Sequence, residues 1–219
     1  MNDVEKLING YRRFLSQNFE KQKKLYHNLS KEGQSPKLLV ISCCDSRVHP
    51  EQIMDTEPGD IFVIRNVANL VPVNKPDGKS HGTSAAMEFA VKHLKVRHII
   101  VLGHSQCGGI RALMEGDHPG DEYGFVDPWM GIVKNAREKV LKEHKDKSFD
   151  DQCGYCEKAS IEISLNNLLT FPWIKEKWDS DKLTIHGWYF DIETGSLLWA
   201  HDGQFLSVEH VVRQQAVFK

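Results

Sequence analysis

The chain has 219 residues, with 28 Lys and Arg against 30 Asp and Glu, a formal net charge of −2, and 40% hydrophobic residues. That balance excludes a disordered chain, which carries less apolar content and more net charge. It also argues against a nucleic-acid binder, which needs a basic surface, and no run approaches the ~20 apolar residues of a membrane-spanning helix.

Met1 to Phe19 mixes acids and bases with single apolar residues, unlike a signal or transit peptide. The expectation is a cytoplasmic protein with reduced thiols. Within this segment Val4, Leu7, Ile8, Tyr11, Leu15 and Phe19 recur every three or four residues, which predicts an amphipathic helix. Its stripe has two possible destinations, its own domain or a second subunit.

Three apolar runs follow: Lys37 to Cys43, Asp60 to Arg65 and Arg97 to Gly103. Continuous rather than alternating apolarity suits strands buried on both faces of a parallel sheet. A helical pattern at 83–94 separates the second and third. Further helical patterns run over 127–144 and 157–171, the latter stopped by Pro172, and 116–127 reads as an exposed loop. Leu183 to Phe190 and Ser196 to Trp199 predict a strand pair joined across Glu193-Thr-Gly195. Strands interleaved with helices predict an α/β fold with a mainly parallel central sheet flanked by helices. No composition shift marks a boundary, so residues 1–219 read as a single domain, with 1–30 as an N-terminal helical arm.

The first strand runs into Ser42-Cys-Cys-Asp-Ser-Arg47 and the third into Gly103-His-Ser-Gln-Cys-Gly-Gly109. Ligands of open α/β sheets bind beyond the carboxyl ends of the strands. One edge of the sheet therefore receives His104, Cys107 and one of Cys43 or Cys44, since strand alternation sends those two to opposite sides. Two thiolates and an imidazole form a Cys₂His set, which leaves the fourth tetrahedral position of a catalytic zinc open. Asp45 and Arg47 accompany the thiol, and an Asp–Arg pair holds a carboxylate ionised and steers it. The five cysteines, an odd number, cannot all pair within one chain.

Cys43-x-Asp45-x-Arg47 with His104-x-x-Cys107 resembles the β-class carbonic anhydrases, in particular their plant-type branch. The likeness extends through Gly33-Gln-Ser-Pro36, Phe62 to Leu70, Gly82-Thr-Ser-Ala-Ala86, Cys156-Glu-Lys158 and His186-Gly-Trp188. It implies one zinc ion per chain on Cys43, His104 and Cys107, with water or, in a closed form, Asp45 as fourth ligand. It implies reversible hydration of carbon dioxide to bicarbonate and a proton by a zinc-bound hydroxide, with Asp45 and Arg47 catalytic. Phe62, Val67 and Phe89 would line the substrate pocket, Gln34 would reach in from the neighbouring subunit, and the Gly108 N–H would serve an oxyanion. Self-association follows, as a dimer or a higher even oligomer, with the N-terminal arm packing on a second subunit.

Some bacterial members hold an inhibitory bicarbonate with a Trp, an Arg and a Tyr. Here Arg65 matches, but Val40 and Phe190 replace the other two, so the switch is expected to be missing and Asp45 to stay off zinc. Cys153-x-x-Cys156 reads as structural or mildly redox-sensitive, and Cys44 as a small residue behind the ligands. The rival readings are a carbonyl sulfide or carbon disulfide hydrolase on the same zinc, a catalytically silent zinc-stabilised binding protein, and, more weakly, a thiol redox protein.

Overall fold

The computed structural model describes residues 2–116 and 124–217. It opens on α1 (Asp3–Arg13), which passes through a π-helical turn at Phe14–Phe19 into α2 (Glu20–Glu32). A reciprocal capping box starts α1: Asn2 Oδ1 accepts the Glu5 N–H at 2.8 Å, and Glu5 Oε2 accepts the Asn2 N–H at 3.1 Å. No residue of this arm is buried. Leu7 is 73% exposed, and Val4, Ile8, Tyr11 and Leu15 are exposed too, so the expected stripe does not pack on its own chain.

The remaining elements, in order, are β1 (Leu38–Cys43), α3 (Pro50–Ile53), β2 (Ile61–Asn66), α4 (Gly82–Glu88) with a π-helical extension Phe89–His93, and β3 (His98–His104). Then come α5 (Gly108–Glu115), α6 (Val126–Met130), α7 (Lys134–Glu143), α8 (Phe149–Leu168) and α9 (Pro172–Asp179). The chain ends in β4 (Thr184–Phe190), β5 (Leu197–His201), β6 (Gln204–Ser207) and α10 (Val208–Val217).

The six strands form one sheet in the order β2-β1-β3-β4-β5-β6. The first four are parallel, while β5 and β6 return antiparallel. The central strands β1 and β3 are buried on both faces, which is why their sequences are apolar without alternation. Met87, Ile161, Leu168 and Ile174, from α4, α8 and α9, cover Leu39, Ile41, Ile99 and Val101 on one face. Val40, Ile100 and Leu102 lie on the other, against Trp188 and Phe190. Ser42 aligns with Leu102, so Cys43 is level with Gly103, and His104 follows one residue later at the same end of the sheet.

Three expectations are corrected. The helix at 127–144 is broken by a 3₁₀ turn, Gly131–Val133, into α6 and α7. The helix expected from residue 157 begins at Phe149, because the Ser148 side chain accepts the Asp151 N–H at 3.1 Å and caps it. Pro172 does not stop α8, which ends at Leu168, but opens α9 at its first turn, where its missing N–H leaves no bond unmade. Most of the expected loop at 116–127 lies outside the described residues, and Val126 and Asp127 already belong to α6. Among the described residues no helix is long and apolar enough to cross a membrane.

Candidate metal centre

Cys43 ends β1, His104 ends β3, and Cys107 immediately precedes α5. Their ligand atoms lie within 4.8 Å of one another, and all three residues are buried. Cys44, the other candidate, points outward and is exposed, as strand alternation requires.

His104 shows what this pocket is built for. Its Nδ1 lies 2.8 Å from the Ser105 carbonyl, which can only accept, so Nδ1 carries the proton. Nε2 then presents a lone pair, and it is buried without a hydrogen-bond partner. A buried nitrogen left unpaired costs stability unless something else engages it. A cation between Nε2 and the two sulfurs would do so, and a carbonyl on the second ring nitrogen is the usual support of a metal-binding histidine. The donor set fits zinc, with tetrahedral geometry and one position left over.

The thiols are already unequal. Cys43 is drawn down, chiefly by the hydrogen bond from the Cys107 thiol, against the cost of burial. Cys107, the donor in that bond and deeply buried, moves upward. A divalent cation favours the thiolate at both.

Asp45 sits on the turn after β1 with both carboxylate oxygens held by Arg47: Nε to Oδ1 at 3.0 Å and Nη2 to Oδ2 at 2.8 Å. These bonds hold the Asp45 carboxyl well below the usual range. Arg47 Nη2 also donates to the Gln106 carbonyl at 2.9 Å, tying the two ligand-bearing loops together. Arg65 braces the same turn, donating to the carbonyls of Cys43 at 3.0 Å, Asp45 at 2.7 Å and Val48 at 2.8 Å.

The expected substrate residues divide into two groups. Val67 packs with the cluster that holds Cys43 and Cys107, and its carbonyl accepts from Trp129 Nε1 at 2.8 Å. Gly108 follows Cys107 directly as the first residue of α5. A cavity of about 1030 Å³ opens beside Val67, with Asn66, His81 and Trp129 among its walls. Phe62 and Phe89 pair elsewhere, ring centroids 6.0 Å apart, with Phe89 45% exposed. Phe62 lies four residues back along β2 from Asn66, the partner of Cys43, which is roughly 13 Å of strand. Gln34 is exposed and precedes β1, whose far end carries Cys43 roughly 17 Å away. One chain does not bring these three side chains to its own cysteines.

Cys153 and Cys156 are buried on α8, and burial raises both thiols, Cys156 to about 12, which leaves neither as a ready nucleophile. Among the described residues they join no group of three ligands.

Glu157 was without a role in the sequence. It is 4% exposed, and its Oε1 accepts the Cys107 N–H while Oε2 accepts the Tyr189 O–H, both at 2.8 Å. Its signal was a charge on the buried stripe of α8, between Cys153, Cys156, Ser160 and Ile161.

A family model described as carbonic anhydrase matches residues 38–197. Beta carbonic anhydrase 3 of Arabidopsis thaliana is 39% identical over 202 residues, covering 91% of this chain and 78% of that protein. Beta carbonic anhydrase 5, chloroplastic, of the same plant is 46% identical over 166 residues, which is 76% of this chain and 54% of that protein. Among solved structures, the β-carbonic anhydrase CcaA superposes with a TM-score of 0.88 at 33% identity, covering 94% of this chain and all of that one. A chain from the tetrameric β-carbonic anhydrases of Sordaria macrospora gives 0.81 at 29% identity, with the same coverage.

Proposed function

Because this chain belongs to the β-carbonic anhydrases, we propose that Cys43, His104 and Cys107 hold one zinc ion for its reaction, the reversible hydration of carbon dioxide to bicarbonate and a proton. One observation carries the assignment: three buried ligand atoms lie within 4.8 Å, and the His104 nitrogen among them has no other partner. Zinc bound there supplies a Lewis acid that makes water nucleophilic near neutral pH.

Asp45 accepts a hydrogen bond from the attacking water and turns its lone pair toward carbon dioxide. Arg47 keeps the carboxylate ionised and, by occupying both oxygens, would hold it off a bound zinc ion. Val40 and Phe190 offer no donor to an inhibitory anion, and Arg65 is engaged with three carbonyls, which supports an enzyme without that switch. Val67 lines the apolar side of the substrate position, and the Gly108 N–H meets the developing negative charge. Gln34, Phe62 and Phe89 complete the pocket from a second copy of the chain. Their distance from Cys43 in one chain supports this reading, as does the tetrameric state of the Sordaria enzymes.

Metal content and hydration rate of three proteins test the assignment. The wild type should carry one zinc per chain. Cys43→Ser should lose both metal and activity, while Asp45→Asn should keep the metal and lose about 10²-fold or more in rate. Full activity in Cys43→Ser overturns the assignment.

A further inference from the structure

The peptide group between Gln106 and Cys107 is gripped at both ends. Its carbonyl accepts from Arg47 Nη2 at 2.9 Å, and its N–H donates to Glu157 Oε1 at 2.8 Å. The same Arg47 nitrogen donates to Asp45 Oδ2 at 2.8 Å, and the second oxygen of Glu157 accepts from Tyr189 at 2.8 Å. One unbroken line therefore runs from Asp45 through Arg47, a single peptide and Glu157 to Tyr189.

We propose that Glu157 is a positioning residue: it fixes the Cys107 peptide, and through it the place of the Cys107 sulfur, and couples that ligand to the Asp45–Arg47 pair. The inference rests on the zinc reading above.

The local backbone supplies the reason. Gln106 has φ of 57°, a left-handed conformation that a side-chain-bearing residue adopts only when its surroundings enforce it. The Arg47 and Glu157 bonds bracket that residue on its C-terminal side, so the peptide plane cannot rotate without breaking both. A guanidinium on the C=O and a carboxyl on the N–H polarise the amide in the same sense, so each bond strengthens the other. A structural helix would fill the Glu157 position with an apolar residue, as it does at Ile161 and Leu168. The carboxyl group is explained by the two donors it meets.

The test uses full-length protein loaded with zinc or with cobalt(II), whose thiolate charge-transfer band reports ligand geometry. Glu157→Ala should release zinc to a chelator about 10- to 100-fold faster than wild type and shift the cobalt band. Glu157→Gln keeps an oxygen for the Cys107 N–H and should restore most of both. Release rates for Arg47→Ala, Glu157→Ala and the double variant should be non-additive. If Glu157→Ala fails to fold, Tyr189→Phe should move the cobalt band in the same direction by less. Wild-type release and an unchanged band in Glu157→Ala overturn the proposal even if its thermal stability falls. So does an unchanged band in Tyr189→Phe when Glu157→Ala cannot be made. Additive release rates overturn the coupling. A wild type that binds neither metal overturns the zinc reading itself, which separates the two failures.

Discussion

His186 lies on β4 away from Cys43, His104 and Cys107, with its ring 5.6 Å from that of His98 and 5.3 Å from that of Trp199. Its Nε2 meets Thr184 Oγ1 at 3.0 Å and His98 Nδ1 at 3.4 Å. Burial first, and His98 second, lower its pKa from 6.5 to about 4. The folded protein therefore keeps this ring neutral where the unfolded chain would protonate it. As pH falls from about 6.5 toward 4 the unfolded state binds the extra proton, and stability declines across that window. After discounting for partial exposure, the loss is roughly 1 kcal/mol by pH 5. His186→Gln should flatten this part of the stability profile. Denaturant midpoints at pH 7 and pH 5 measure it, and equal declines in both proteins would show that other groups carry the acid sensitivity.

At the level of elements, the site depends on how closely α8 approaches the sheet. A Cβ at Gly103 would lie 2.6 Å from Ile161 Cδ1, and one at Gly187 would lie 2.8 Å from Ile161 Cγ2. Two glycines on neighbouring strands thus form the seat of one buried isoleucine, four residues beyond Glu157 on α8. Gly103→Ala should destabilise by about 1–3 kcal/mol through overpacking. It should also slow catalysis, because His104 is the next residue. Ile161→Val removes the clashing Cδ1 and should cost about 1 kcal/mol alone but less in the Gly103→Ala background. A double-mutant cycle of unfolding free energies measures the difference, and strict additivity would refute the shared seat.

This packing also explains what the sequence could reveal. The strands β1, β2 and β3 were legible because parallel strands under helices need uninterrupted apolar runs, and two of them deliver the ligands to one edge. The start of α8 was not, because Asp150, Gln152, Gly154 and Tyr155 dilute its apolar pattern, leaving only the Ser148 cap as a signal. Glu157 stayed without a role because its meaning lies in an amide 50 residues away. The split of the pocket residues was hidden for a similar reason: Phe62 and Val67 are close in sequence, yet a strand's length puts them in different surroundings.

For the whole molecule, an arm with no buried residue and a pocket group remote from its own cysteines point to one arrangement. Leu7 at 73% and Tyr11 at 59% exposure are apolar surface that a second copy can cover. In a two-fold assembly, each chain would then give its metal ligands to one site and its Gln34, Phe62 and Phe89 to the other. Complementation distinguishes this from two self-contained sites. Cys43→Ser disables the site built on its own ligands, whereas Gln34→Ala disables the site of its partner. Each variant alone should be severely impaired. Co-expressed in equal amounts, random pairing makes half the dimers mixed, and every mixed dimer contains one site with both residues intact, so about a quarter of all sites should work. Self-contained sites would give no recovery, because every chain would carry a defect in its own site. Adding Leu7→Glu and Tyr11→Glu to both chains should abolish the recovery and lower the mass measured by light scattering, since the charges would weaken the pairing through which Gln34 reaches the second site.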